Sequence, residues 1–126
     1  MSFLIKLIST AMAVSGYSTA SANEPAAVKN QIVIPLPAGQ TVERTVTQYQ
    51  CGHQKVTAEY WNAGDISLVG LTLADRYVVA ANVIAASAAK YAGDRYIWWA
   101  ESDAATLIDL SKSRDETSGV KCVPVN

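Results

Sequence analysis

The feature that most restricts what this chain can fold into is a polar–apolar alternation, cut into short runs by turn-forming residues. Successive side chains of a strand point to opposite faces, so such alternation marks half-buried strands and not helices. Thr45, Thr47, Tyr49 and Cys51 alternate with Val46, Gln48 and Gln50, and Lys55-Val56-Thr57-Ala58-Glu59-Tyr60 alternates cleanly. Asn62-Ala63-Gly64-Asp65 is a turn composition between that run and Ile66–Leu73, which predicts a β-hairpin. Arg95–Trp99, Ala105–Leu110 and Val120–Val123 supply further short strands, separated by polar breaks at 101–103 and 111–119. Many short strands at such spacing predict a sandwich or a small barrel.

Two stretches fit the pattern less well. Residues 23–40 hold three of the four prolines and read as a loose segment ahead of a domain spanning 41–126, with one candidate strand at Gln31-Ile32-Val33-Ile34. Tyr77–Tyr91 is rich in alanine, which favours helix, yet Tyr77, Val78, Val79, Val83 and Ile84 favour strand. Nearly every position there is apolar, so periodicity leaves both readings open.

The N-terminus reads as a signal peptide over residues 1–22. Lys6 precedes an uncharged run from Leu7 to Gly16, and Ala20-Ser21-Ala22 is the small-residue pattern of a cleavage site. A run of about ten residues is half of what a bilayer core requires. No cysteine lies near the cleavage site, so a soluble periplasmic protein without a membrane anchor is expected. Without that segment, nine basic and eleven acidic side chains remain. Nucleic-acid or membrane-surface binding calls for clustered bases, and that balance points to neither.

Cys51 and Cys122 are the chain's two cysteines, and both lie in the exported part. An even count in an oxidising compartment predicts one disulfide. Nothing has Cys-x-x-Cys spacing, and Cys51-Gly52-His53 offers too few ligands for a metal, so His53, the single histidine, is read as a turn residue and no cofactor is expected. Ser87-Ala88-Ala89-Lys90 matches the Ser-x-x-Lys pattern of penicillin-recognising enzymes, but Ser118–Lys121 matches it equally, and the companion motifs are missing. With no histidine placed to activate a serine, and pairs such as Asp103 and Asp109 explained as solvated surface, an enzyme is not expected. On a strand Trp98 and Trp99 must face opposite ways, one into a core and the other outward, as a partner anchor or beneath a loop. Tyr91-Ala92-Gly93-Asp94 reads as a turn before the Arg95–Trp99 strand, which would set a polar loop near the tryptophans.

The order Tyr49-Gln50-Cys51, Ser87-Ala88-Ala89-Lys90-Tyr91, Trp98-Trp99-Ala100-Glu101-Ser102-Asp103-Ala104-Ala105 and a final Cys122 resembles the inhibitors of c-type lysozyme. That family has a lipoprotein branch and a periplasmic branch; its pattern reads Tyr-x-Cys, Ser-Gly-x-x-Tyr and Phe-Trp-x-Lys-Gly-Asp-Glu-Ala. The resemblance covers about residues 45–123 and suggests the periplasmic branch. It implies an all-β fold, a small eight-stranded antiparallel β-barrel closed by one disulfide between Cys51 and Cys122, with strands across 77–91. It also implies host c-type lysozyme as partner, with homodimerisation left open. The Ser87–Tyr91 loop would enter the enzyme's cleft, where a protonated acid and an ionised carboxylate flank the sugar bond. Carried over by position, Ser87 offers the hydroxyl, Ala88 and Ala89 the backbone of the loop, Lys90 the base and Tyr91 the packing aromatic. Trp99 and Glu101 would complete the contact.

The departures from the pattern are as informative. Ala88 stands where the family has glycine, so a left-handed backbone there would be strained. Glu101 stands where the family has lysine, so that contact is absent or Glu101 turns toward Lys90 or Arg95. The competing readings are a non-inhibitory envelope module of the same barrel that binds another periplasmic protein or a glycan, and, last, a small hydrolase.

Overall fold

The computed structural model of the protein describes residues 30–125. The expected signal peptide at 1–22, and residues 23–29 of the leading segment, lie outside the described residues. Among those described, eight strands follow one another: β1 (Glu43–Cys51), β2 (Gln54–Ala63), β3 (Ile66–Thr72), β4 (Tyr77–Val83), β5 (Ala89–Gly93), β6 (Tyr96–Ala100), β7 (Ala105–Asp109) and β8 (Val120–Pro124). Each pairs antiparallel with the next, and β8 returns to β1, closing the barrel. The hairpin predicted around 62–65 is β2–β3, joined by Gly64 and Asp65 with Gly64 in the left-handed region (φ 59°). His53 is exposed in the β1–β2 turn, as expected.

Residues 31–37 carry no strand, contrary to the expectation for Gln31–Ile34. The apolar run has β propensity, but a strand requires a ladder partner, and every ladder in the described structure runs between two of the eight barrel strands. Propensity without a partner leaves these apolar side chains exposed and outside any ladder.

The Tyr77–Tyr91 ambiguity resolves to strand–turn–strand, β4 and β5. The reason lies inside the barrel. Trp98, fully buried, fills the interior with Tyr49, Tyr91, Leu71, Val56 and Val69, while Ala58, Ala80 and Ala105 supply the small residues opposite them. A narrow barrel takes large and small side chains in combination, because its bore is fixed by strand number. The alanine of β4 that faces inward is thus a space-maker and not a helix former. Tyr49 meets Trp98 edge to face, ring centroids 5.1 Å apart. The polar ends of these aromatics satisfy one another: Trp98 Nε1 donates to the Tyr60 hydroxyl at 2.8 Å, and Tyr60 and Tyr49 share a hydrogen bond at 3.2 Å. Burial, reinforced by the bond to Tyr49, pushes the Tyr60 hydroxyl well above the ordinary tyrosine value, so it stays a neutral link.

Cys51 and Cys122 stand directly opposite in the β1–β8 ladder and are bonded, 71 residues apart in sequence. β8 makes three register pairs with β1 and three with β7, and Cys122 is its one buried residue. The disulfide therefore fastens the barrel's weakest strand at the seam.

Candidate functional site

Antiparallel succession places three turns at one end of the barrel: β2–β3 (64–65), β4–β5 (84–88) and β6–β7 (101–104). The register fixes their neighbourhood. Val83 pairs with Lys90, Ala89 with Ala100, and Ala100 with Ala105, so the 84–88 turn and the 101–104 turn emerge side by side. The second is closed by the Glu101 amide donating to the Ala104 carbonyl at 2.8 Å.

Ser87 is exposed on the 84–88 turn. Ala88 adopts φ 61°, the left-handed region that glycine takes freely and an alanine takes at a cost. The turn thus keeps the backbone geometry a glycine would supply, with a methyl group attached. The strain anticipated from the sequence is present.

Ala89, Lys90 and Tyr91 do not belong to this turn. They form the start of β5, and Tyr91 is buried, its hydroxyl sharing a hydrogen bond with Ser67 at 3.1 Å and its ring packed on Tyr60. The turn expected at 91–94 lies later, around Asp94, at the opposite end of the barrel. Tyr91 packs, as the resemblance implies, but from inside: it braces the strand that carries the turn.

Lys90 and Trp99 are register partners on the outer face of β5 and β6. The Lys90 ammonium lies 5.2 Å from the centre of the Trp99 ring and donates to both carboxylate oxygens of Glu116, at 2.8 and 3.0 Å. Glu116 arrives on the long β7–β8 connection, which crosses the outside of the barrel. A Cβ on Gly119 would come within 2.4 Å of Thr106 and 2.7 Å of Ile108, so that connection lies against the outer face of β7. Beneath it the register pair Ile97–Ile108 is buried outside the barrel core, and the Trp99 indole nitrogen is covered. Trp98 therefore points in and Trp99 out, as alternation requires, and Trp99 is half-buried under Lys90, which Glu116 of the loop holds in place. Within that loop Asp115 accepts from the Thr117 hydroxyl at 2.7 Å and its amide at 2.9 Å, which holds the carboxyl below its usual range. Reasoning from the sequence missed Glu116, because nothing local in a polar run says which distant lysine it meets.

Glu101 is exposed and forms no ion pair among the described residues. Neither base proposed for it is its partner: Lys90 belongs to Glu116, and Arg95 lies at the far end with Asp109, its Nε 3.3 Å from the carboxylate. The turns at 64–65, 84–88 and 101–104 carry Asp65, Glu101 and Asp103 and no basic residue. This end of the barrel accordingly presents two exposed hydroxyls, Ser87 and Ser102, an apolar tip and a fringe of acids. It has the makings of a surface that docks, and no nucleophile–base pair.

The pattern that defines the family described as membrane-bound lysozyme-inhibitor of c-type lysozyme matches residues 49–115. A membrane-bound lysozyme inhibitor of C-type lysozyme from Pseudomonas aeruginosa is 38% identical over 91 residues, 71% of this chain and 72% of that protein. One from Cupriavidus necator is 33% identical over 69 residues, 54% of this chain and 55% of that protein. The crystal structure of Pseudomonas aeruginosa MliC in complex with hen egg white lysozyme superposes with a TM-score of 0.63 at 34% identity, covering 78% of this chain and all of that one.

Proposed function

The chain belongs to the family of membrane-bound lysozyme inhibitors of c-type lysozyme, and on that premise we propose that it is a stoichiometric inhibitor of a c-type lysozyme from a host. It binds and occludes the enzyme and performs no chemistry of its own. The observation that carries the mechanism is the 84–88 turn: an exposed Ser87 hydroxyl beside a left-handed Ala88, on a strand pair braced by Tyr91. Inserted into the cleft, the hydroxyl and neighbouring amides hydrogen-bond the catalytic carboxylates and exclude the sugar. The inserted element is the turn 84–88 alone. Ala89, Lys90, Tyr91 and Trp99 support it from the wall, and Glu101 stands at the rim.

Lysozyme meets its inhibitors outside the inner membrane, so the protein acts in the cell envelope, and we place it in the periplasm as a soluble form. Both cysteines of the sequence are engaged in the disulfide, which fits an oxidising compartment. The periplasmic form should begin at Asn23 by mass spectrometry; a lipid-modified N-terminus would refute this placement.

The decisive experiment titrates purified protein into a c-type lysozyme lysis assay. Inhibition saturating at one-to-one supports the proposal, and absence of inhibition at micromolar excess refutes it. Ser87→Ala should weaken inhibition about ten- to a hundredfold, the loss of one hydrogen bond to a charged partner. Full inhibition by that variant would refute cleft insertion.

A further inference from the structure

On the same turn, three residues before Ser87, Ile84 is fully exposed, a β-branched apolar side chain extended into solvent from the tip of a closed barrel. A single exposed aliphatic is ordinary on protein surfaces. This one is not solitary. Val83 beside it is also exposed, and the rest of the turn is Ala85, Ala86, Ser87 and Ala88, so the protruding surface is apolar apart from one hydroxyl. Around it, on the flanking turns, stand Asp65, Glu101 and Asp103.

The charges settle what such a tip can use to bind. The cation expected at its base, Lys90, is neutralised by Glu116 and stacked on Trp99. The position at 101 is acidic. None of the described residues in the three turns at this end is basic, and hydrogen bonding by Ser87 is the tip's one polar contribution. An apolar centre ringed by charge is the common anatomy of a protein-binding patch: the centre supplies affinity and the ring governs encounter.

We infer that Ile84 is the apolar anchor of the lysozyme interface, buried in a hydrophobic recess at the edge of the enzyme's cleft, and that the Asp65–Glu101–Asp103 ring steers the inhibitor toward basic surface outside it. This rests on the proposed function and adds a residue and a division of labour to it. Binding is then held by apolar burial and approached through acids, the reverse of a basic plug entering an acidic cleft.

The test measures association and dissociation rates with hen egg white lysozyme for wild type, Ile84→Ser, Ile84→Leu and Ser87→Ala, each checked for an unchanged melting temperature. Burial of one large aliphatic corresponds to about a ten- to hundredfold change in Kd. Ile84→Ser should lose that much, almost entirely through faster dissociation, and Ile84→Leu should recover most of it. Raising salt should slow wild-type association and leave dissociation nearly unchanged. If Ile84→Ser binds within threefold of wild type while Ser87→Ala is weakened, the anchor assignment is overturned and the inhibitor reading stands. If the folded wild type neither binds nor inhibits lysozyme, the inhibitor reading falls and the anchor with it. Sedimentation of the same samples supplies a third arm: self-association abolished by Ile84→Ser, with lysozyme affinity intact, would assign Ile84 to a contact between copies and overturn the proposal.

Discussion

Ala88 allows a quantitative test in which the expected sign runs against the usual one. Replacing an exposed alanine by glycine ordinarily destabilises, because the unfolded chain gains freedom that folding must remove, by about 0.4–1 kcal/mol. At φ 61° the native alanine bears a steric cost of about 1–2 kcal/mol that glycine does not. The second effect is the larger, so Ala88→Gly should stabilise by about 0.5–1 kcal/mol. For a domain of this size that raises Tm by about 2–8 °C. Ala86→Gly is the control on the same turn: the described non-glycine residues with positive φ are Asn30, Ala88 and Asp94, so Ala86 carries no such strain and its glycine variant should lose stability. Thermal melts followed by far-UV circular dichroism, with urea titrations confirming an unchanged m-value, measure both. Inhibition by Ala88→Gly should stay within about twofold of wild type, since the turn keeps its shape. Equal losses of stability in both variants would refute the argument, because they would show that Ala88 is not strained.

Replacing Cys51 and Cys122 together by alanine should destabilise by about 4 kcal/mol in the chain-entropy estimate, measured by urea unfolding of the variant against the oxidised wild type. A loss under about 1 kcal/mol would show that β8 is held by its ladders alone. Glu101→Lys should speed association with lysozyme at low salt if its contact is with the cleft carboxylates, and slow it if the acidic ring faces basic surface; the inference drawn for Ile84 requires the slower rate.

Much of the fold could be read from local chemistry. The alternation at 55–60 and the turn at 62–65 fixed a hairpin, and β7, β8 and the opposite facing of Trp98 and Trp99, though not which of them points inward, followed from period and polarity. What escaped was whatever depended on distant partners. Ala80 reads as a helix former until the space beside Trp98 is known. Ile32–Ile34 reads as a strand until the ladders are counted. The site divided the same way. Ser87 and Ala88 were singled out by a local motif, and both lie on the exposed 84–88 turn between β4 and β5. Lys90 and Tyr91, in the same motif, were assigned to the loop because a sequence does not reveal that β5 begins at Ala89, nor that Glu116 captures the lysine.

The seam between β1 and β8 has a consequence beyond stability. While it is closed, no strand of the barrel has a free edge, and another chain can meet the barrel only through turns and side chains. Without the Cys51–Cys122 bond β8 is held only by its two short ladders, and its detachment would leave β1 and β7 with unpaired amides and carbonyls. Unpaired edges recruit strands from other molecules, so a reduced population should polymerise more readily than it unfolds. The bond also cannot form until the second cysteine, 71 residues after the first, has been delivered.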